Sequence, residues 1–109
     1  MIDLVERQIQ KFIESKRPSE EIRSKLDFGY SYKNNAVELY EIRPQWDDES
    51  IIRHHPFAKA KYVKTKNIWK VYWMRSNLKW ALYDPLPEVK GVDEFLEAVD
   101  QDAHHCFFG

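Results

Sequence analysis

The sequence predicts an α+β domain, a five-stranded antiparallel meander sheet with N-terminal and C-terminal helices packed on one face. Two observations support this class. Apolar residues recur at steps of three and four near both ends of the chain, which is the period of an amphipathic helix, and they alternate in its middle, which is the period of a strand. With 109 residues the chain is long enough to bury one core of its own, so we expect a single domain over residues 1–109.

Three helical segments are predicted. The first covers residues 2–17 and ends there because Pro18 disfavours helical geometry in the residue before it. Ser19 followed by two glutamates is typical of a helix start, which predicts a short helix over 19–25. The last helix covers 92–101 and has acidic residues in its first turn, where the helix dipole favours them.

Five strands are predicted between the helices, over residues 26–32, 36–43, 57–64, 68–75 and 79–83. Pro44 is expected to stop the second strand and to open a loop over 44–56. If Lys66-Asn67 and Ser76-Asn77 are two-residue turns, one buried face carries Ala60, Tyr62, Val71, Trp73, Trp80 and Leu82. The opposite face then carries Lys59, Lys61, Lys70, Tyr72, Met74, Lys79 and Tyr83.

Charge is strongly segregated along the chain. No acidic residue occurs between Glu49 and Asp84, and residues 51–83 hold eight lysines and arginines, although the whole chain has a net charge of −1. Three of the four tryptophans lie in the same segment. Such segregation indicates what a surface attracts and does not determine the fold.

Several landmarks resemble an uncharacterised bacterial family, domain of unknown function 3024. They are Arg17-Pro18, Ile42-Arg43-Pro44, Trp46-Asp47-Asp48, Pro56-Phe57-Ala58-Lys59, Lys61-Tyr62, Trp69-Lys70-Val71-Tyr72-Trp73-Met74-Arg75, Lys79-Trp80-Ala81-Leu82-Tyr83-Asp84-Pro85-Leu86-Pro87 and Phe107-Phe108-Gly109. The similarity covers nearly the whole chain, and the tryptophan-rich hairpin is among its most specific parts. The resemblance supports the domain boundaries and implies no activity, cofactor or catalytic residue.

The basic, aromatic sheet face is the first candidate site. Lysines neutralise phosphates and an exposed tyrosine stacks on an unpaired base, which predicts single-stranded nucleic acid as the ligand. The proposed contacts are Lys59, Lys61, Lys70, Tyr72 and Lys79. The alternative is an ordinary solvated face whose charge is offset by the acidic parts of the chain, and the isoelectric point of about 6.4 favours that alternative.

A protein-interaction surface is the competing hypothesis. It would use an edge strand, the loop at 44–56, or the aromatic tail over 103–109 with Phe107 and Phe108 at its end. For the tail, we prefer docking on the domain's own core to insertion into a neighbour, since burying two phenylalanines contributes roughly 3–6 kcal/mol before ordering costs. A homodimer is one open possibility for the partner.

A metal or thiol site is the third hypothesis. Its candidate residues are His54, His55, His104, His105 and Cys106, because imidazole and thiolate are good ligands for zinc or copper. The spacing matches no known zinc motif, so the preferred interpretation is that these loop and tail histidines have no functional role. The acidic run of Asp47, Asp48 and Glu49 resembles a paired-acid site only superficially.

The expected function is therefore a small, non-enzymatic binding or adaptor domain with an unidentified ligand, no cofactor and no membrane association. The chain has one cysteine and no segment that resembles a secretory signal or a membrane span. A single cysteine cannot form an internal disulfide, which favours the reducing cytoplasm as the compartment.

Overall fold

A computed structural model describes residues 3–108, and it confirms the predicted α+β class. In this part of the chain the antiparallel sheet has six strands, of which five form a meander in the order β1-β2-β3-β4-β5 and the sixth pairs with β4. The elements are α1 (Leu4–Lys16), β1 (Asp27–Lys33), β2 (Ala36–Gln45), β3 (Asp48–Val63), β4 (Ile68–Met74), β5 (Trp80–Leu82), β6 (Glu88–Val89) and α2 (Val92–Gln101).

The helix predicted near the start of the chain is confirmed as α1. Its N-cap is Asp3, whose carboxylate accepts a hydrogen bond of 2.8 Å from the backbone N–H of Val5. It ends before Arg17, which precedes Pro18 and takes an extended conformation. The expected first residue, Ile2, lies outside the described residues.

The short helix predicted over 19–25 is wrong. The segment forms turns, in which the backbone N–H of Ile22 donates to the carbonyl of Ser19 at 2.9 Å and those of Lys25 and Leu26 donate to the carbonyl of Ile22 at 2.8 and 3.0 Å. Ile22 itself remains exposed. A helix of so few residues needs a buried apolar face to form, and this segment has none to offer.

The loop predicted over 44–56 is also wrong, because these residues extend the second and third strands into a hairpin. β2 continues to Gln45 and β3 begins at Asp48, with those two residues paired. Proline is tolerated in β2 because β1 pairs only as far as Ile42, which leaves this edge without a neighbouring strand in the described part of the chain. We call residues 43–56 the arm.

The β3–β4 hairpin keeps the predicted faces in a different register. Val63 pairs with Ile68, so the connection is longer than the two-residue turn that was predicted. The shift moves each pair by two positions, and Ala60 faces Val71. An even shift leaves the inward and outward sets of side chains unchanged.

The β4–β5 hairpin departs from the predicted register by one residue. Leu78 has a left-handed φ of 63° and lengthens the turn to three residues, so that the backbone N–H of Arg75 donates to the carbonyl of Lys79 at 3.0 Å. Met74 consequently pairs with Trp80. A slip of one residue reverses the face of every side chain on β5.

Four predicted orientations are therefore wrong. Trp80 and Leu82 share a face with Tyr72 rather than with the core, because β5 is shifted against β4. Tyr83, predicted on the solvent side, is buried. Lys79 precedes β5, and its carbonyl accepts a hydrogen bond from the backbone N–H of Arg75. It therefore does not lie on the solvent face on which it was predicted.

Both helices pack on one face of the sheet, where the core forms. Its buried residues are Ile9, Ile13, Val37, Leu39, Phe57, Ala58, Ala60, Trp69, Val71, Tyr83, Val89, Val92, Phe95, Leu96, Val99 and Phe107. The opposite side, which we call the outer face, is formed by Glu38, Tyr40, Lys59, Lys61, Lys70, Tyr72, Met74, Trp80 and Leu82. Over residues 3–108, neither helix has the length and apolar character that a membrane crossing requires.

Candidate binding surfaces

The centre of the outer face holds Lys59 near two aromatic rings. Its Nζ lies 5.8 Å from the ring centroid of Tyr72 and 5.7 Å from that of Trp80. Trp80 reaches this position because of the one-residue shift of β5. A cation at this distance is attracted to the ring faces. The rings that could stack on a base therefore already have a lysine beside them.

A second basic spot lies beside the first. Lys61 and Lys70 are directly opposite each other on β3 and β4, a placement in which like charges repel. Lys70 is also opposite Glu88 on β6. Among residues 3–108, neither lysine has a carboxylate within the 4.0 Å that defines an ion pair. The structure thus brings together four of the five predicted nucleic-acid contacts and leaves out Lys79.

One end of the outer face is closed by a stacked pair. The rings of Tyr40 and His54 are 4.6 Å apart and nearly parallel, at 9°. The Tyr40 hydroxyl donates to the carbonyl of Tyr30 at 3.2 Å. The Tyr40 ring lies over Gly29, and a Cβ added to this glycine would be only 2.7 Å from Cε2 of the ring. His55 follows in the same strand and so points to the other side of the sheet.

The arm leaves one edge of β3 unpaired. β3 pairs with β4 only from Ala58 to Val63, so residues 52–56 have β2 on one side and, within the described chain, no strand on the other. Residues 49–51 bulge out of the ladder with β2, because Pro44 pairs with Ile52 whereas Gln45 pairs with Asp48. Every side chain from Asp48 to His55 is exposed. Open backbone N–H and C=O groups on an exposed edge are a template for pairing with another strand.

Large apolar side chains lie on this same arm. Trp46 at its tip is 92% exposed, and Ile52 is 54% exposed. Ile51 beside it is also exposed. An apolar surface left open to water around an unpaired edge is typical of an interaction site.

The polar groups of the arm hold its turn in place. The Arg53 guanidinium donates from Nε and Nη2 to Oε1 of Gln45, at 3.0 and 2.8 Å. The amide nitrogen of Gln45 donates to Asp47 at 2.6 Å. The Asp48 carboxylate accepts from the hydroxyl and the backbone N–H of Ser50, which holds the pKa of Asp48 below its ordinary value. These acids serve the turn and do not form a paired-acid site.

The C-terminal segment is fastened by Asp102. This residue ends α2 in a left-handed conformation with φ of 42°, and its carboxylate accepts from the backbone N–H groups of Phe107 at 3.0 Å and Phe108 at 2.9 Å. Phe107 is 5% exposed and packs 4.8 Å from Tyr83. Phe108 lies 5.1 Å from Phe57 and keeps part of its ring in solvent. Gly109 lies outside the described residues.

The histidines and the thiol do not assemble into a metal site. In residues 3–108, no group of three His, Cys, Asp or Glu side chains is arranged to hold a metal ion. His104 lies near Tyr83, at 6.3 Å between rings, and His105 is exposed. Burial raises the pKa of the Cys106 thiol, and the Asp102 carboxylate raises it further. A raised pKa lowers the fraction of reactive thiolate, which disfavours a nucleophilic role.

Two of these features were not identified from the sequence. The open edge of β3 was missed because Pro44 was taken as the end of a strand, although the β-branched pair Ile51-Ile52 in the middle of the segment favours a strand. Asp102 carried no signal beyond an acid that follows a helix.

The fold and these surfaces define a small α+β antiparallel-sheet domain with a projecting hairpin and an internally docked C-terminal segment. The family model described as Domain of unknown function (DUF3024) matches residues 2–109, so the chain belongs to that family. The resemblance inferred from the sequence is confirmed, and the family's description assigns no function. No curated protein and no solved structure matches the chain.

Proposed function

We propose that this protein is a non-enzymatic binding domain that captures an extended polypeptide segment along the open edge of β3. One observation carries the proposal: within the described chain, residues 52–55 pair with β2 on one edge only, and their exposed side chains lie on the same arm as a tryptophan that is 92% exposed. Addition of a strand to such an edge gives affinity through backbone hydrogen bonds and specificity through alternate side chains. The cytoplasm is the compartment we propose, supported by the single cysteine.

Selection from a displayed library of random peptides tests this function. We expect the selected peptides to be rich in β-branched and aromatic residues, because they must form a strand. Their affinity should fall by about tenfold or more for Ile52→Asp, which places a charge on the arm. Leu82→Asp is the matched control, since it puts the same charge at an exposed aliphatic position of the outer face. Equal binding to both variants would overturn the proposal.

Single-stranded nucleic acid on the outer face is a second candidate. It is favoured by the juxtaposition of Lys61 and Lys70, which have no ion-pair partner in the described chain. Fluorescence anisotropy with labelled single-stranded DNA and RNA should show binding that weakens steeply with added salt. It should be lost in Lys61→Glu/Lys70→Glu and kept in Lys64→Glu/Lys66→Glu, which changes the net charge equally. Absence of binding at low salt would dismiss this candidate.

A further inference from the structure

We infer that the strand captured by the arm alternates acidic and apolar side chains, with the acidic ones beside Arg53 and His55 and the apolar ones beside Ile52. The inference rests on the proposed function, because it names the chemistry of the segment that the open edge of β3 binds. The two sides of the arm differ in chemistry, and a strand added to its edge presents alternate side chains to each of them.

One side of the arm is polar and basic. Residues 52–56 pair regularly with residues 40–44 of β2, so their side chains alternate between the two sides of the hairpin. On the basic side, Arg53 is directly opposite Arg43, and His55 follows two residues later. Like charges directly opposite each other repel, so this side favours an anion beside the two guanidinium groups.

Arg53 has no acidic partner on this side. Arg43 donates to the carboxylate of Glu41 at 2.9 Å, which offsets its charge. Arg53 instead donates to the neutral side-chain amide of Gln45, at 3.0 and 2.8 Å, and it takes part in no ion pair within residues 3–108. These hydrogen bonds hold the guanidinium in place and leave its charge uncompensated. A carboxylate on a neighbouring strand would supply the opposite charge.

A groove beside Arg53 offers space for acidic side chains. It has a volume of about 500 Å³ and is lined by Arg43, Pro44, Gln45, Trp46, Arg53 and His55. The exposed Trp46 gives it an aromatic wall. Among these lining residues, three are basic and none is acidic. The groove therefore complements a negatively charged side chain better than a positive or neutral one.

The other side of the arm is apolar at the same edge. Ile52, which is 54% exposed, is directly opposite Pro44. His54 lies on this side as well, where it stacks on Tyr40. Apolar side chains of an added strand would cover Ile52 and remove its surface from water. The captured segment is therefore expected to carry β-branched or aromatic residues at every second position, between the acidic ones.

Fluorescence anisotropy with three short labelled peptides tests this chemistry. The first alternates glutamate with valine, the second alternates lysine with valine, and the third alternates threonine with valine. We expect the glutamate peptide to bind at least about tenfold more tightly than the lysine peptide, with the threonine peptide between them. Equal affinity for the three peptides would overturn the inference.

Charge reversal tests the role of Arg53. Arg53→Glu should make the lysine peptide the tighter ligand, because the basic side of the arm then has two carboxylates and one guanidinium. Arg75→Glu, in the exposed turn after β4, is the matched control and should keep the wild-type preference. Lys61→Glu/Lys70→Glu should also keep it, which shows that the acidic peptide is not bound by the outer face. Circular dichroism verifies that the variants are folded. An unchanged preference in Arg53→Glu would overturn the inference.

Two outcomes separate this inference from the function on which it rests. If the peptides selected from the random library lose affinity in Ile52→Asp, yet show no acidic alternation and bind Arg53→Glu as they bind the wild type, the assigned chemistry is overturned and the proposed function stands. If no peptide binds the wild type, both fail.

Discussion

Asp102 organises the C-terminal end of the molecule with a single carboxylate. It is 8% exposed and is the acceptor for two successive backbone N–H groups, while its own backbone takes a left-handed conformation that ends α2. A buried carboxylate needs such partners, since an uncompensated buried charge is strongly destabilising. The docking of Phe107 on the core therefore depends on this residue.

Replacing Asp102 with asparagine should lower the free energy of unfolding by about 1–2 kcal/mol, because the amide has only one acceptor oxygen, so one of the two hydrogen bonds is lost and the other becomes neutral. Asparagine tolerates the left-handed conformation, so the substitution leaves the backbone of the helix end unstrained. The measurement is urea unfolding. Asp100→Asn is the control, since it removes only a partly exposed ion pair with Lys16 and should cost less than about 1 kcal/mol. Equal losses in the two variants would contradict this role of Asp102.

Asp27 gives the fold a pH dependence of predictable sign. Arg17 donates to both carboxylate oxygens, at 3.0 and 2.9 Å, and these hydrogen bonds hold the pKa of Asp27 below its ordinary value. A carboxylate with a lowered folded-state pKa stabilises the fold above its unfolded pKa of roughly 3.9, and the contribution is lost as the pH falls through the lower folded value.

Urea unfolding of Asp27→Asn across the acid range tests this sign. The variant should be less stable than the wild type at pH 7, and the difference should shrink toward zero as the pH drops below about 4. Asp84→Asn, at an exposed position, should follow the wild type at every pH. A difference for Asp27→Asn that does not depend on pH would show that the ion pair is not its cause.

The turn between β4 and β5 decides what the outer face presents. Alternation of apolar residues predicted both strands correctly, but it could not predict that Leu78 would take a left-handed conformation and add a residue to the turn. Leucine carries no signal for that geometry, which glycine and asparagine favour. The consequence is that Trp80 joins Lys59 outside and Tyr83 enters the core.

Leu78→Asn should raise the free energy of unfolding by about 1 kcal/mol, because asparagine adopts the left-handed conformation at lower cost. Leu78 is 81% exposed, so its replacement removes little buried surface. Thermal and urea unfolding measure the gain. Ser76→Asn, in the same turn but without a positive φ, should change stability by less than about 0.5 kcal/mol. A loss of stability in Leu78→Asn would contradict the assigned conformation.

For the whole molecule, the sequence predicts the fold class correctly but predicts the exposed binding surfaces only in part. The periods of α1, α2 and the strands fix the α+β arrangement, because each period permits one way of burying its apolar side chains. The arm was not predictable, since a proline normally marks the end of a strand and its tolerance depends on how far β1 extends. Charge segregation along the chain was visible, whereas the pairing of Lys59 with two rings requires the folded register.

The central claim is that the arm is a formed hairpin with one open edge, and residue-resolved amide hydrogen exchange tests it most directly. In dilute protein, the amides of residues 52–55 that bond to β2 should be protected, while the alternate amides at the open edge should exchange freely. The open-edge amides should gain protection when a selected peptide is added. Protection of both sets in dilute protein, or of neither, would contradict the claim.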